Sequence, residues 1–330
     1  MRNSNAKPVI LFPHLAKTAG VTAVTLLERA FEGHTFGAYF QENVSGTGLI
    51  DLEYIASKFN ELPEEKRDEV QFIPSHMGFG LHAHLPFECK YITFIRDPVD
   101  RIISSYNYVR GLGWRGVETS FEEFVNMSFL GSNNHMVRAL SGDPSLDTFD
   151  KPALQSSVRP VTEEDFQRTI QNIEEHFVSC IPVSSFDAGL TDFFCQWNLP
   201  PAGMRYERQN VTKVKEIGPP QLSEKILEKV RELNVFDLRL HAYVVAEFEK
   251  KYQKNKRRYD ALNLDFSKFQ DVYQKVSGMQ DKVRTNVDEE NSVLLSLLAD
   301  AEALKLQIAD LANMYIHLHP SDDRDHVNDL

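Results

Sequence analysis

The chain has 330 residues, 42% of them hydrophobic, enough for one large core or two modest ones. Its 36 basic and 48 acidic residues leave a formal charge of −12, which argues against general nucleic-acid binding and against a surface built for polyanions. One local basic pocket for a small anion is still compatible with that balance.

Three scattered cysteines, Cys89, Cys180 and Cys195, form neither a disulfide framework nor a zinc site and suit a reducing compartment. No run approaches the roughly 18 apolar residues of a membrane helix. The expectation is a cytoplasmic protein with no membrane span.

The first strand is expected at Val9-Phe12 and a helix at 20–31. Between them runs Pro13-His-Leu-Ala-Lys-Thr-Ala-Gly-Val-Thr22. A chain that leaves a buried strand and opens a helix exposes unpaired backbone N–H groups, and the helix dipole adds to their pull on an anion. Small Ala19 and Gly20 let the anion approach, and Lys17 adds a point charge. The turn is no Walker A loop, because that pattern needs glycine where this chain has Leu11 and Ala16.

Further strands are expected at Val70-Ile73, Tyr91-Ile95 and Phe177-Val183, with helices at 98–110, 184–196 and 235–252. Strands alternating with helices define an α/β fold, a P-loop-like parallel sheet flanked by helices. The segment Arg96-Asp-Pro-Val-Asp-Arg-Ile-Ile-Ser104 follows the third of these strands. Asp97 reads as an N-cap and Pro98 as the first helical residue. Arg96 falls at the carboxyl end of its strand, where α/β folds bind ligands. Arg101, Ser104 and Tyr108 share one helix face. Asp97 is expected only to cap and Arg101 only to pair with a carboxylate. Arg96 supplies a planar fork for a phosphate, and Ser104 adds a hydroxyl.

Together the two motifs resemble the sulfotransferase family that includes the heparan and uronyl 2-O-sulfotransferases and many bacterial relatives. The likeness covers roughly residues 8–250. It lies in Lys17-Thr18-Ala19-Gly20-Val21-Thr22 and in the complete match Arg96-Asp97-Pro98-Val99-Asp100-Arg101-Ile102-Ile103-Ser104. The first motif departs from the family pattern at Ala16, usually proline, and at Val21, usually a hydroxyl residue. Thr22 is a possible substitute for that hydroxyl.

The resemblance implies a cosubstrate, 3′-phosphoadenosine 5′-phosphosulfate, and no metal. Its 5′-phosphosulfate would lie on Lys17 and residues 18–22, and its 3′-phosphate on Arg96 and Ser104. The segment Pro74-Ser-His-Met-Gly-Phe-Gly80 resembles the family's base segment, which makes His76 the general base. Histidine suits that role, since it titrates near neutrality. His82 and His84 have no carboxylate or cysteine at ligand spacing and read as surface or supporting residues. By the same likeness His135 and Arg138 become candidate acceptor contacts, and Arg208 and Lys213 candidates for a loop over the nucleotide. The implied acceptor is a hydroxyl compound, foremost a carbohydrate. Two alternatives are a non-catalytic, oligomerising nucleotide-binding protein and a P-loop-like kinase, the latter needing a magnesium carboxylate that the sequence does not present.

The composition changes near residue 250, dividing the chain into a transfer domain, 1–249, and a helical extension, 250–330. A heptad register runs from Tyr259 to Leu318, broken only at Gln280 and Glu290. Such a repeat fits a coiled coil that would make the protein a homo-oligomer through residues 259–318. It also fits a helical hairpin turning near residues 286–291.

Overall fold

The structure is a computed structural model that describes residues 7–31, 33–39, 49–111, 120–126, 133–146, 159–199 and 222–254. The heptad stretch and the pair Arg208 and Lys213 lie outside the described residues. In chain order the elements begin with β1 (Val9–Pro13), α1 (Gly20–Ala30), α2 (Leu52–Asn60), α3 (Glu64–Glu69), β2 (Phe72–Ser75), β3 (Cys89–Ile95) and α4 (Pro98–Gly111). It continues with α5 (Phe121–Asn126), α6 (His135–Leu140), α7 (Glu163–His176), β4 (Phe177–Pro182), α8 (Phe186–Trp197), α9 (Glu224–Leu233) and α10 (Val235–Lys254).

The strands form one parallel sheet in the order β2-β1-β3-β4. β1 shows why its sequence is a continuous apolar run. Ile10 and Phe12 pack with α1 and α8, while Val9 and Leu11 pack on the other side with Ile55, Ala56 and Phe59 of α2. Successive side chains of a strand point to opposite faces, so a sheet covered on both sides requires apolar residues at every position. All five residues of β1 are buried. A third cluster seats α6, α7 and α10 beside Ile95, and a fourth joins α4, α5 and α9.

The second strand lies at Phe72–Ser75 rather than Val70–Ile73, a shift of two residues toward the site. Val70 is extended but serves as the C-cap of α3, and pairing with β1 runs from Ile10–Phe72 to Pro13–Ser75. Pro74 is tolerated because its nitrogen faces away from β1, on the side where its carbonyl accepts from Ala38 N at 3.0 Å, so no bond of the β1–β2 ladder is lost.

The carboxyl side of the sheet is held by a reciprocal cap between α6 and α10. The carboxylate of Asp237 accepts hydrogen bonds from the N–H groups of Met136 (3.1 Å) and Val137 (2.9 Å). In return, Asn134 Oδ1 accepts from the N–H groups of Phe236 (2.9 Å) and Asp237 (3.1 Å). Asn234 Oδ1 closes the set by accepting from Asn134 N at 3.0 Å. Each helix thereby satisfies N–H donors that the other leaves open. Helix α10 runs through residues 249 and 250, where the sequence composition changes. No described helix is long and apolar enough to cross a membrane.

Candidate active site

The carboxyl ends of β1, β2 and β3 converge on one side of the sheet and carry most of the candidate residues. After β1 the chain makes a tight turn in which Lys17 (φ 67°) and Ala19 (φ 65°) both adopt left-handed backbone. That geometry costs a residue with a Cβ roughly 1–2 kcal/mol. Ala19 is the N-cap of α1, yet no side chain caps the helix and its first turn holds no acidic residue. The opening N–H groups of α1 are therefore free of the groups that would compete with an anion.

Within this turn the side chains divide. Thr18 is buried and its hydroxyl donates to the Leu15 carbonyl at 2.9 Å, so it stabilises the turn itself. Thr22 is also buried, whereas Val21 is exposed. The ammonium of Lys17 lies 4.0 Å from the centroid of Tyr108, on the exposed ring that α4 projects toward the turn. Burial, and then the charge of Arg96, hold the Lys17 pKa below that of a free lysine.

The second motif meets the first. Arg96 Nη1 donates to the Lys17 carbonyl at 3.2 Å, so the arginine after β3 braces the turn after β1. Among the described residues, neither Lys17 nor Arg96 is within ion-pair distance of a carboxylate. Asp97 accepts from the N–H groups of Val99 (2.9 Å) and Asp100 (3.1 Å), the capping role expected of it. Ser104 is half-buried on α4, one turn before Tyr108. Arg101 is fully buried, and the negative charge of Asp237 opposes the effect of burial, which pushes its pKa down to about 10.

His76 follows β2. Its Nδ1 is 2.9 Å from the His14 carbonyl, and a carbonyl can only accept, so Nδ1 carries the proton and Nε2 keeps its lone pair. Burial lowers the His76 pKa and the bond to the His14 carbonyl partly offsets this. The loop bearing His76 docks on α6: Phe79 N donates to the Ala139 carbonyl at 2.7 Å. Gly78 permits the approach, since a Cβ there would lie 2.8 Å from that same oxygen.

His135 begins α6 and is buried, with neither ring nitrogen hydrogen-bonded among the described residues. Burial first, then the charges of Arg101 and Arg138 and the nearby His76, depress its pKa well below the usual value. Arg138 is buried and points elsewhere. Its guanidinium donates to the carbonyls of Asn133, Leu146 and Arg159 and to Asn133 Oδ1, which ties the loops around α6 together. His82 lies away from this group, with its Nδ1 2.9 Å from the Tyr91 hydroxyl.

Two residues of the site carried no assigned role in the sequence. The His14 ring stacks on that of His76, with centroids 4.3 Å apart, and Tyr39 packs edge-on against both. The available signal for His14 was its place just past a buried strand, in step with Ile10 and Phe12. Tyr39 comes from a connecting segment with no recognisable pattern.

No protein-family model matches the chain, and no curated protein matches it. Among solved structures, the mouse sulfotransferase SULT7A1 complexed with PAP is similar at 13% identity and a TM-score of 0.42, over 74% of this chain and 89% of that one. A sulfotransferase from Alicyclobacillus acidocaldarius is similar at 12% identity and a TM-score of 0.40, over 72% of this chain and 96% of that one. Likenesses this distant leave the architecture resting on the strand order and the site on its own geometry.

Proposed function

We propose that the protein transfers a sulfuryl group from 3′-phosphoadenosine 5′-phosphosulfate to a hydroxyl of an acceptor, foremost a carbohydrate. The observation that carries the reading is the meeting of two cationic turns at adjacent strand ends. Lys17 stands beside the uncapped start of α1, and Arg96 is bonded to the backbone of that same turn. Two anion-receptive turns on neighbouring strands suit a nucleotide with phosphates on both sides of its ribose, and the donors present fit such a group.

In this reading the backbone of residues 18–22 and Lys17 hold the 5′-phosphosulfate, while Arg96 and Ser104 hold the 3′-phosphate. The donor supplies the activated sulfuryl group. His76 Nε2 takes the proton of the acceptor hydroxyl as that oxygen bonds to sulfur. Lys17 offsets the charge that gathers on the bridging phosphate oxygen as the S–O bond breaks. Catalysis then consists of positioning and preorganised charge. His135, buried near His76 with both nitrogens unpaired, is the better acceptor-side candidate, and Arg138 acts by holding the loops around α6.

Calorimetry with 3′-phosphoadenosine 5′-phosphate, with ADP and ATP as controls, tests the reading. Binding should require the 3′-phosphate and weaken about 10- to 100-fold in Arg96→Ala, the loss expected for a charge-assisted contact. Equal binding of ADP would sink the assignment.

A further inference from the structure

We propose that His14 is a positioning residue that couples the phosphate turn to the base, so that an anion held at the turn fixes the orientation of His76. This rests on the sulfuryl-transfer reading for the roles of the turn and the base.

The first link is to the base. The His14 carbonyl accepts from His76 Nδ1 at 2.9 Å, which selects the tautomer with a free Nε2. The two rings stack with centroids 4.3 Å apart and planes 27° apart, so His76 cannot tilt toward His14 without moving it.

The second link is to the turn. A Cβ added at Gly20 would lie 1.9 Å from His14 Cδ2 and 2.2 Å from its Nε2. The ring thus rests on bare backbone where α1 opens, at the residue whose lack of a side chain makes room for it. Glycine is required here by packing against the imidazole as well as by any approach of an anion.

Tyr39 holds the ring from a third direction. Its hydroxyl lies 3.1 Å from His14 Nδ1, and its ring meets His14 and His76 edge-on at 5.8 and 5.2 Å. A ring seated against Gly20, His76 and Tyr39 transmits a displacement of one neighbour to the others, because close-packed groups have little slack. Backbone movement at Gly20 as the turn closes on an anion therefore reaches His76 through His14. The His14 ring stays neutral throughout, since burial, with the nearby His76 and Lys17, pushes its pKa down to about 3. A neutral ring adds no charge that would oppose proton uptake by the base.

The test uses the full chain with 15N-labelled histidine, observed with and without 3′-phosphoadenosine 5′-phosphate, in the wild type and three variants. In the wild type, His76 should show the Nδ1-protonated tautomer, and the nucleotide should shift its ring signals. His14→Ala should abolish that shift and lower kcat by about tenfold, with the donor KM within about threefold, the pattern of lost positioning. His14→Leu keeps volume without a flat ring and carries the same expectation where alanine prevents folding. His14→Phe restores a flat ring over Gly20 and should recover most of kcat. Leucine or alanine variants with wild-type kcat, and with His76 signals that still respond to the nucleotide, would overturn the proposal. The two ideas fail separately. A wild type that does not bind the nucleotide counts against the donor reading. Ligand-free His76 signals left unchanged by His14→Leu count against the stack.

Discussion

The turn from β1 into α1 occupies residues 14–19, holds two left-handed non-glycine residues and leaves its helix without a side-chain cap. The turn from β3 into α4 occupies residues 96 and 97, and Asp97 satisfies the first N–H groups of its helix. The first turn presents backbone donors and keeps its side chains at the edge or inside. The second has closed its own helix end and presents side chains, Arg96 and Ser104. If the proposed donor site is right, neighbouring strands of one sheet build their two anion contacts on different principles, one of strained main chain and one of ordinary capping with a projecting fork.

The sharpest way to break this contrast is to remove the charge from each turn. Lys17→Ala should lower kcat by about 10²-fold or more, and so should His76→Ala, because the proposed mechanism has both act as the transition state forms. Arg96→Ala should act instead on donor affinity, as measured by calorimetry. If Lys17→Ala changed only affinity, the two turns would not differ in role.

The pH profile comes next in size. His76 must be unprotonated to act, and its folded pKa lies below the ordinary 6.5 because of burial. The sign follows directly: kcat/KM should stay flat from neutral pH down past 6.5 and fall about tenfold per unit only below the lowered pKa. On the alkaline side Lys17, also lowered, should begin to lose its proton before the 10.5 of a free lysine. A profile that breaks at 6.5 or higher on its acid limb would remove His76 from the role.

Smaller effects separate the helix ends. Asp97→Ala should cost about 1 kcal/mol in denaturant unfolding, with donor affinity unchanged within about threefold. Ala19→Gly relieves a left-handed Cβ but adds unfolded-state entropy, so it should stabilise by no more than about 1 kcal/mol. A loss of donor affinity in Asp97→Ala would mean that the second turn also works through its helix end.

Much of this architecture was legible in the sequence, for identifiable reasons. Val9 to Phe12 and Tyr91 to Ile95 are continuous apolar runs, and a sheet covered on both faces is the environment that permits them. Asp97-Pro98 marked the start of α4 because capping chemistry is local. The second strand was misplaced by two residues because Val70 and Phe72 look alike in a window, and only pairing with β1 separates them. His14 and Tyr39 escaped because their importance lies in ring contacts between segments distant in the chain, which no local pattern encodes. The hydrogen bonds of Arg138 to the carbonyls of Asn133, Leu146 and Arg159 have no local signal for the same reason. Its carbonyl partners are set by the way the surrounding loops close.

The mutual cap of α6 and α10 also bears on the order of folding. Its hydrogen bonds join residues 100 to 103 positions apart, so each requires a long loop to close first. Helix α6 has six residues, too few to persist alone in water, and two of its first donors have their acceptor on α10. The segment bearing His135 therefore takes its final form only after the chain has been made and docked as far as Asp237. A nascent or truncated chain ending before that residue would hold the sheet strands and both cationic turns, but lack the support beneath the loop that carries His76.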